Sequence, residues 1–295
     1  MSAPSSPLVS VIIPTYNRAV YLHDAVVSVL NQSLTNIEII VVDNCSTDAT
    51  AQMIAGVSDK RIRYFQNEEN IGAVANYNRC LELCAGKYIY FFSDDDLMTS
   101  IENLSAKAAI LEKFDSVSIV HGNITMINHL GEKVGGNWAE SNPYWSYIVG
   151  NPMLDGHKAF EILYYKMNFI NMPTVLVRAE LIKQYKLRFN NQLVYLIDWG
   201  LWLQMTLLGN AYYIHDPMVA YRLHEKNESK LMAYETYYAE LLTIKTSLIT
   251  SMGDGFPKVK KDIFAIDKSI REQLKAFQQP SRLQQMVKKM LTYSK

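Results

Sequence analysis

The first 92 residues alternate between short apolar runs and segments whose apolar residues recur every three or four positions. The apolar runs predict four strands, and the periodic segments predict a helix after each of the first three. The predicted strands cover 8–13, 37–42, 61–66 and 87–92, and the predicted helices cover 22–30, 48–55 and 73–84. Uninterrupted apolar strands that alternate with helices are typical of a parallel sheet covered on both faces, whose ligands bind at the carboxyl ends of the strands.

The pattern continues downstream and then becomes irregular between residues 128 and 156. This stretch contains five glycines, two prolines and the aromatic residues Trp138 and Trp145. Such a loop is typical of a binding or lid element, although a buried aromatic cluster has the same composition. Helices are predicted at 102–113, 157–165, 179–185 and 196–208, and strands at 117–121, 211–215 and 218–223.

The carboxyl-terminal region differs from the rest in charge. From Lys258 to the end, ten Lys and Arg stand against three acidic residues, whereas the whole chain has 29 of each kind. Helical spacing predicts one helix over 259–277 and another after Pro280. The apolar stripe of the second helix is flanked by positive charges, which is typical of a helix on an anionic membrane surface. The first stripe is also suited to packing on the main domain or on a second copy in a homodimer.

Length and composition fit a globular enzyme. The 295 residues are 49% apolar and 20% charged, which excludes a wholly disordered or collagenous chain. The balanced charge gives no reason to expect a nucleic-acid partner. Residues 1–7 lack the features of a signal peptide, and no run of 18 apolar residues occurs, so a cytoplasmic protein is expected, with contact to the inner face of the cell membrane through 281–295 as an option.

The three cysteines are predicted to be buried thiols. Cys80 and Cys84 are four residues apart on the apolar face of a predicted helix, and Cys45 is a third, unmatched cysteine. Reduced buried cysteine behaves as a small hydrophobic residue, which we favour over a redox or metal pair.

The first strand-to-helix turn excludes the common phosphate-binding loops. No glycine precedes Gly56, so neither a dinucleotide-binding Gly-x-Gly-x-x-Gly nor a Walker loop is present there. In its place Pro14, Thr15, Tyr16 and Asn17 give a rigid bend with an aromatic ring that could stack on a nucleobase.

Polar residues also follow the second and fourth strands. Asp43 could accept a hydrogen bond from a base or ribose or cap the next helix, and capping is the favoured role of Ser46 to Asp48. Ser93 is followed by Asp94, Asp95 and Asp96. Three adjacent carboxylates at the end of a buried strand repel one another, and a divalent cation such as Mg²⁺ or Mn²⁺ would offset this. A solvated acidic turn is the alternative.

In order and spacing, these residues resemble glycosyltransferase family 2. The resemblance covers about residues 8–125 and continues downstream. Its motifs are Pro14-Thr15-Tyr16-Asn17, Asp43-Asn44, Asn70-Ile71-Gly72, Asn78-Arg79, Asp94 to Asp96, Asp198-Trp199, and Tyr221-Arg222 with His224. The resemblance implies a GT-A, Rossmann-like α/β fold with a mixed, mainly parallel sheet flanked by helices. A nucleotide-sugar-binding half over 1–125, an acceptor half over 126–230 and a helical extension over 231–295 are then expected.

The resemblance also implies roles for individual residues. The base would contact Tyr16 and Asp43, and further residues would bind the nucleotide-sugar, namely Pro14, Thr15, Asn17, Asn78, Arg79, Asp94 and Asp95. Asp95, Asp96 and His224 would hold Mn²⁺ or Mg²⁺. Ser93 stands where the family's usual Asp-x-Asp-Asp has its first aspartate, so the register of the metal ligands stays open between Asp94, Asp95 and Asp96.

Asp198 matches the catalytic base of that family, and its setting agrees. It is a lone charge in an apolar stretch, where burial would raise its pKa, although a helix-capping role would explain it too. The resulting hypothesis is an inverting transfer of sugar from a nucleotide-sugar, preferably a UDP-sugar, to a saccharide acceptor. Its acceptor would be a lipid-linked oligosaccharide in surface polysaccharide synthesis. A non-catalytic sugar-nucleotide scaffold and a nucleotidyltransferase are the alternatives.

Overall fold

A computed structural model describes residues 6–135, 150–166, 168–225 and 233–251. Within these ranges the strands are β1 Val9–Thr15, β2 Ile37–Asp43, β3 Ile62–Gln66, β4 Tyr88–Phe91, β5 Leu97–Met98, β6 Val117–Ile127, β7 Met153–Leu154, β8 Leu176–Arg178 and β9 Asn210–Arg222. The helices are α1 Ala19–Leu30, α2 Thr50–Ala55, α3 Ala73–Leu83, α4 Asn103–Lys113, α5 Gly156–Tyr165, α6 Ala179–Gln184, α7 Ile197–Leu208 and α8 Tyr234–Ser251, with a 3₁₀ turn at Met172–Thr174.

The described strands form one mixed sheet, as expected. Its order is β3-β2-β1-β4-β8-β6-β9-β5, and β7 pairs with β9. The pairings from β3 to β4 are all parallel, whereas β8 runs antiparallel to both of its neighbours. The carboxyl ends of β2, β1 and β4 therefore meet side by side at one edge.

Burial on both faces explains the apolar strands of the first half. Residues on one face of β1, Val9, Val11 and Ile13, pack with Leu22 and Val26 of α1 in the main core. The alternate residues Ile12 and Ile40 are also fully buried, and α3 packs against β1 and β2. The predicted order of strands and helices is confirmed here, except that β1 continues through Pro14 and Thr15, which the sequence had placed in the turn.

The prediction of two strands at 211–215 and 218–223 is wrong, because the structure has one strand, β9. The pairing with β6 shifts from Gly122↔Ile214 to Ile124↔Val219. The residues between Ile214 and Val219, where the sequence predicted a break between two strands, therefore form a bulge. A bulge lets a strand continue past unpaired residues and bends it. Beyond the bulge β9 pairs antiparallel with β5, Leu97 opposite Ala220, which brings its end to the loop after β4.

Strand β6 is also longer than the predicted 117–121. His121 and Asn123 interrupt the apolar pattern, yet both are buried, and the N–H of Gly122 donates to the hydroxyl of Thr174 at 3.1 Å. Asn123 accepts from the N–H of Ile124 at 2.9 Å, and the ring of His121 packs against the rings of Phe169 and Tyr213. These contacts accommodate both residues in a central strand.

The chain divides into two compact units, Met1–Glu240 and Leu241–Lys295. The predicted helices over 259–277 and 281–291 lie outside the described residues, as do Trp138 and Trp145. In the described ranges, no helix combines the length and apolar character needed to cross a membrane. Cys80 and Cys84 are buried free thiols, which confirms their predicted role, and burial raises the pKa of Cys84 to about 12. The prediction is wrong for Cys45, a free thiol that is only half-buried because it lies on the turn after β2.

A buried carboxylate holds the sheet at the end opposite the strand-end turns. Glu38, at the start of β2, accepts hydrogen bonds from the Ser10 hydroxyl and from the N–H of Ala85 at 2.8 Å, and it pairs with Arg63. These contacts join β1, β2, β3 and the turn that precedes β4.

We expect Glu38→Gln to lower the free energy of unfolding by about 1–3 kcal/mol, because an amide cannot replace both charged acceptor oxygens. Urea denaturation measures the change. Glu82→Gln on the exposed face of α3 is the matched control and should change stability by less than about 0.5 kcal/mol. Equal stabilities of the two variants would contradict the prediction.

Candidate functional site

The turns after β1 and β2 are fastened to each other. Asn17 adopts a left-handed backbone (φ 54°), donates its N–H to the hydroxyl of Ser46 at 2.8 Å and accepts from the N–H of Thr47 at 2.8 Å. Asp48 accepts from the N–H of Ala19, at the start of α1, and from that of Thr50. Of the three residues predicted to cap the next helix, Asp48 bonds the start of α2. The prediction is wrong for Ser46 and Thr47, which bond Asn17 and so join the two turns.

Asp43 is fully buried at the end of β2, and its carboxylate is held at both oxygens. Oδ1 accepts from the N–H of Ser46 at 2.8 Å, and Oδ2 accepts from the Tyr64 hydroxyl at 2.5 Å. Tyr16, on the neighbouring turn, is 44% exposed. The edge thus presents a fixed carboxylate and an accessible aromatic ring, which are the two groups predicted to meet a nucleobase.

The three aspartates after β4 are buried together. Asp94 accepts from the Thr15 hydroxyl at 2.7 Å, so it connects the loop after β4 to the last residue of β1. Burial, together with the charge of Asp95, raises the pKa of Asp94 to about 7. Burial and the same neighbour raise the pKa of Asp96 well above its usual range. The solvated acidic turn is therefore excluded.

One guanidinium group lies where these aspartates meet His224. Nη1 of Arg18 bonds Asp95 and lies 3.7 Å from Oδ1 of Asp94 and 3.2 Å from Nε2 of His224. Nε2 of His224 is itself 2.9 Å from Oδ2 of Asp95. A positive charge therefore occupies the point on which the predicted ligands Asp95 and His224 converge.

The end of β9 completes this cluster. The N–H of Arg222 donates to Oδ1 of Asp96 at 2.8 Å, and its Nε donates to the carbonyl of Asp95 at 2.8 Å. The ring of Tyr21 stacks on His224 with centroids 5.3 Å apart, and the Arg222 guanidinium lies 4.9 Å from the same Tyr21 ring. The pairing of β5 with β9 places these residues beside the aspartates.

The donor set is chemically suited to a divalent cation. Oδ2 of Asp96 is buried and has no hydrogen-bond partner in the described part of the structure. Carboxylate oxygens and an imidazole nitrogen suit Mn²⁺ or Mg²⁺. Within the described ranges no three side chains form a ready metal cluster. The residues thus fit a cation, and Arg18 would have to move for it to bind.

Asp198 is the second residue of α7 and lies in a different environment. Its Oδ2 accepts from Nδ2 of Asn168 at 3.1 Å and from Nε1 of Trp202 at 3.2 Å. Burial raises the pKa of Asp198 to about 6, although these two hydrogen bonds oppose the shift. The ring of Trp202 lies edge-on to Phe91, the last residue of β4, at 5.2 Å. Asp198 is therefore linked through Trp202 to the strand that leads into the aspartates.

Asn78 and Arg79 have structural partners. The side-chain amide of Asn78 exchanges two hydrogen bonds with the backbone of Phe189, at 2.9 and 3.0 Å. Arg79 donates to Oδ1 of Asn67 at 2.6 Å, and Asn67 donates in turn to Asn44, beside Asp43. Arg79 therefore supports the nucleotide edge through Asn67 and Asn44, whereas Asn78 fastens α3 to the segment at Phe189.

Several site residues were not predicted from the sequence. Arg18 had one available signal, since no other Lys or Arg precedes Lys60 and it directly follows the turn. Tyr64 and Tyr21 carried no such signal, because a lone tyrosine at these positions is equally typical of ordinary packing. Trp202 follows Asp198 by four residues, which is the spacing of neighbours on a helix face.

Comparison with known proteins identifies relatives of the chain. Residues 10–169, more than half of the chain, match the family described as glycosyl transferase family 2. An uncharacterized glycosyltransferase of Haemophilus influenzae is 29% identical over 280 residues, which cover 89% of this chain and 82% of that protein. The Escherichia coli UDP-Glc:alpha-D-GlcNAc-diphosphoundecaprenol beta-1,3-glucosyltransferase WfgD is 33% identical over 122 residues, covering 41% of this chain and 47% of WfgD.

Two solved structures share the fold. Staphylococcus aureus TarS 1-349 in complex with UDP-GlcNAc has a TM-score of 0.65 at 22% identity, covering 82% of this chain and 66% of that chain. The mannosyltransferase PcManGT from Pyrobaculum calidifontis, in complex with GDP-Man and Mn²⁺, has a TM-score of 0.54 at 14% identity, covering 90% and 81%. These likenesses confirm the predicted GT-A fold.

The setting of Asp198 predicts a pH-dependent stability change. Its pKa in the fold, about 6, lies above its ordinary value of 3.8, so the folded state loses stability as the pH rises through this interval. We expect Asp198→Asn to raise the free energy of unfolding by about 1–2 kcal/mol at pH 8 and to change it little at pH 5, where the wild-type carboxyl is already largely neutral.

Urea denaturation at both pH values measures this difference. Asp155→Asn is the control, because Asp155 is an exposed cap of α5 and asparagine caps helices equally well. A loss of stability in Asp198→Asn at pH 8 would contradict the prediction.

Proposed function

The chain belongs to glycosyl transferase family 2 and is a glycosyltransferase, and we propose that it moves a sugar from a UDP-sugar to a saccharide hydroxyl with inversion at the anomeric carbon. The observation that carries this proposal is the pairing of two unlike carboxylate environments. Buried aspartates whose charge is balanced by the Arg18 guanidinium lie at the ends of β1 and β4. A separate aspartate with a raised pKa, Asp198, contacts Trp202, whose ring packs on Phe91 at the end of β4. Family membership favours a transferase over the nucleotidyltransferase and the scaffold.

The nucleotide is assigned to the edge formed by β1 and β2. Asp43 is held so that it can accept a hydrogen bond from a uracil N–H, and the exposed ring of Tyr16 is available for stacking. Thr15 and Asp94 lie at the boundary between this edge and the acidic cluster. Arg18 contacts Asp94 and Asp95 beside this edge, and we assign it to the donor diphosphate because arginine binds phosphate oxygens well.

Asp95, Asp96 and His224 would hold Mn²⁺ or Mg²⁺. When bound, such a cation supplies positive charge to the leaving nucleoside diphosphate. Their role in this chain rests on the buried, partnerless oxygen of Asp96 and on the convergence of Asp95 and His224 on Arg18. The complex of PcManGT with GDP-Man and Mn²⁺ agrees with this proposal.

Asp198 is assigned the role of general base. Its carboxylate takes the proton of the acceptor hydroxyl while the oxygen forms a bond to the anomeric carbon and the bond to the diphosphate breaks. The electron pair leaves with the nucleoside diphosphate, and the proton stays on Asp198. Because this is one displacement at the anomeric carbon, the configuration inverts and no covalent enzyme intermediate forms.

The acceptor class follows from the relatives. The name of WfgD gives a GlcNAc-diphosphoundecaprenol acceptor, and a Bacillus subtilis relative is named for teichuronic acid biosynthesis. We therefore propose a lipid-linked saccharide of a surface polymer as the acceptor of this chain.

Transfer from UDP-GlcNAc, UDP-glucose and GDP-mannose to GlcNAc-diphosphoundecaprenol, with Mn²⁺ or with EDTA, tests the proposal. We expect transfer from one UDP-sugar with Mn²⁺ and none with EDTA. Asp198→Asn should lower the rate by about 10²–10⁴-fold and leave the UDP-induced shift of the melting temperature unchanged. Asp96→Ala should remove the Mn²⁺-dependent part of that shift.

The exposed Asp216→Asn is the matched control and should behave as wild type. Retention of the anomeric configuration in the product, or a wild-type rate in Asp198→Asn, would contradict the proposed mechanism.

The pH dependence of turnover gives a second test. With donor and Mn²⁺ saturating, kcat should fall about tenfold for each pH unit below about 6, because only the ionised form of Asp198 accepts the proton. Initial rates between pH 4.5 and 8 measure the profile. A flat profile down to pH 5 would exclude Asp198 as the base.

A further inference from the structure

The segment that leads into α7 depends on a carboxylate from another helix. Helix α7 begins at Ile197 and has no side-chain hydrogen bond at its own N-cap residue, Leu196. The three consecutive N–H groups of Val194, Tyr195 and Leu196 all donate to the carboxylate of Glu240, on α8. The shortest N···O distances are 2.8, 3.0 and 2.8 Å.

This contact is buried and specific. Glu240 is 5% exposed, and the three N–H groups occupy both of its carboxylate oxygens. Hydrogen bonds from backbone N–H groups to an ionised carboxylate are about twice as strong as neutral ones. Glu240 therefore fixes the path of residues 194–196, and α7 starts from a position that Glu240 sets.

A second contact from the same face of α8 reaches the other side of Asp198. Tyr237 precedes Glu240 by three residues, which places both side chains on one face of the helix. Its ring centroid lies 6.3 Å from that of Trp199. Residues 194–196 and Trp199 bracket Asp198, so α8 binds the backbone before Asp198 and contacts a side chain after it.

The rest of the segment is anchored independently. Asn78 holds the backbone of Phe189, at the other end of the loop that enters α7. Asn168 and Trp202 bind the Asp198 carboxylate itself. Nε1 of Trp199, one residue further, donates to the carbonyl of Leu163 at 2.8 Å. These contacts hold side chains of α7, whereas Glu240 holds the backbone of residues 194–196 that leads into it.

We propose that Glu240 is a positioning residue for transfer, which holds the start of α7 so that the Asp198 carboxylate faces the acceptor oxygen. The inference rests on the proposed role of Asp198 as the base. Misplacement of a reacting group by about 1 Å can lower a rate by about 100-fold, so a local change at residues 194–196 is sufficient to affect turnover.

Glu240→Gln tests the inference, with Glu38→Gln as the matched control. Glu38 is another buried glutamate that accepts a backbone N–H, but it lies at the opposite ends of the strands. The measured reaction is UDP release from UDP-GlcNAc with Mn²⁺ and GlcNAc-diphosphoundecaprenol, so that the nucleophile is the acceptor hydroxyl that Asp198 is proposed to face. Hydrogen exchange at Val194 to Leu196 reports the local contact.

In Glu240→Gln we expect faster exchange of these three amides and a kcat lower by about 10- to 100-fold. The KM for UDP-GlcNAc should stay within about twofold, because the donor edge is untouched. In an Asp198→Asn background the Glu240→Gln change should lower the rate by no more than about twofold, since the group that Glu240 positions is already disabled. Glu38→Gln should lower stability but leave kcat unchanged.

Results of several kinds would overturn the inference, and two of them concern Glu240→Gln directly. One is a Glu240→Gln variant that loses stability but keeps the wild-type kcat, as the control does. The other is that Glu240→Gln lowers the rate by the same factor in the wild type and in the Asp198→Asn background. A wild-type rate in Asp198→Asn alone would overturn the assignment of the base, and the inference with it. If Asp198→Asn lowers the rate and Glu240→Gln does not, the assignment of the base stands and the inference about Glu240 alone is overturned.

Discussion

The arrangement of the site depends on three successive carboxylates buried at the end of β4. Burial and mutual repulsion both disfavour their ionised forms, and the raised pKa of Asp94 and Asp96 records this. The fold offsets it with positive or donating groups from separate elements, Arg18 after β1 and Arg222 and His224 after β9. The loop after β4 can therefore adopt this structure only when the two distant parts of the chain are in place.

The pairing of β5 with β9 makes this meeting possible. Strand β5 is two residues long and follows the aspartates directly, so its register with Val219 and Ala220 fixes where Arg222 lies. The bulge in β9 lets the same strand pair with β6 along its whole length and still reach this point. A short strand and an irregularity thus determine the geometry of the acidic cluster more than the long regular strands do.

The contrast between β1–β4 and β9 explains how much of the fold was predictable. Parallel strands buried on both faces are apolar at most positions, so their sequence pattern is nearly continuous and their order can be predicted. The polar break in β9 has the pattern of a loop, and only its partner strand β6 shows that the strand continues. The strand-end turns were predicted because their polar residues stand directly after apolar runs. Arg18 was missed because its partner Asp95 lies 77 positions away in the chain, and local spacing does not contain that contact.

The carboxylates of the site differ in the groups that contact them, and this difference determines the chemistry that each can perform. Asp94 and Asp95 face Arg18, and His224 also bonds Asp95, so their negative charge is compensated by cationic or donating groups. Asp198 accepts from the side-chain amide of Asn168, the indole N–H of Trp202 and local backbone N–H groups, and none of these donors carries charge. A carboxylate that binds a cation acts through its negative charge, whereas a carboxylate that acts as a base needs a high affinity for a proton. Neutral donors orient Asp198 without removing that affinity, and this makes Asp198, of the four aspartates, the one suited to take a proton.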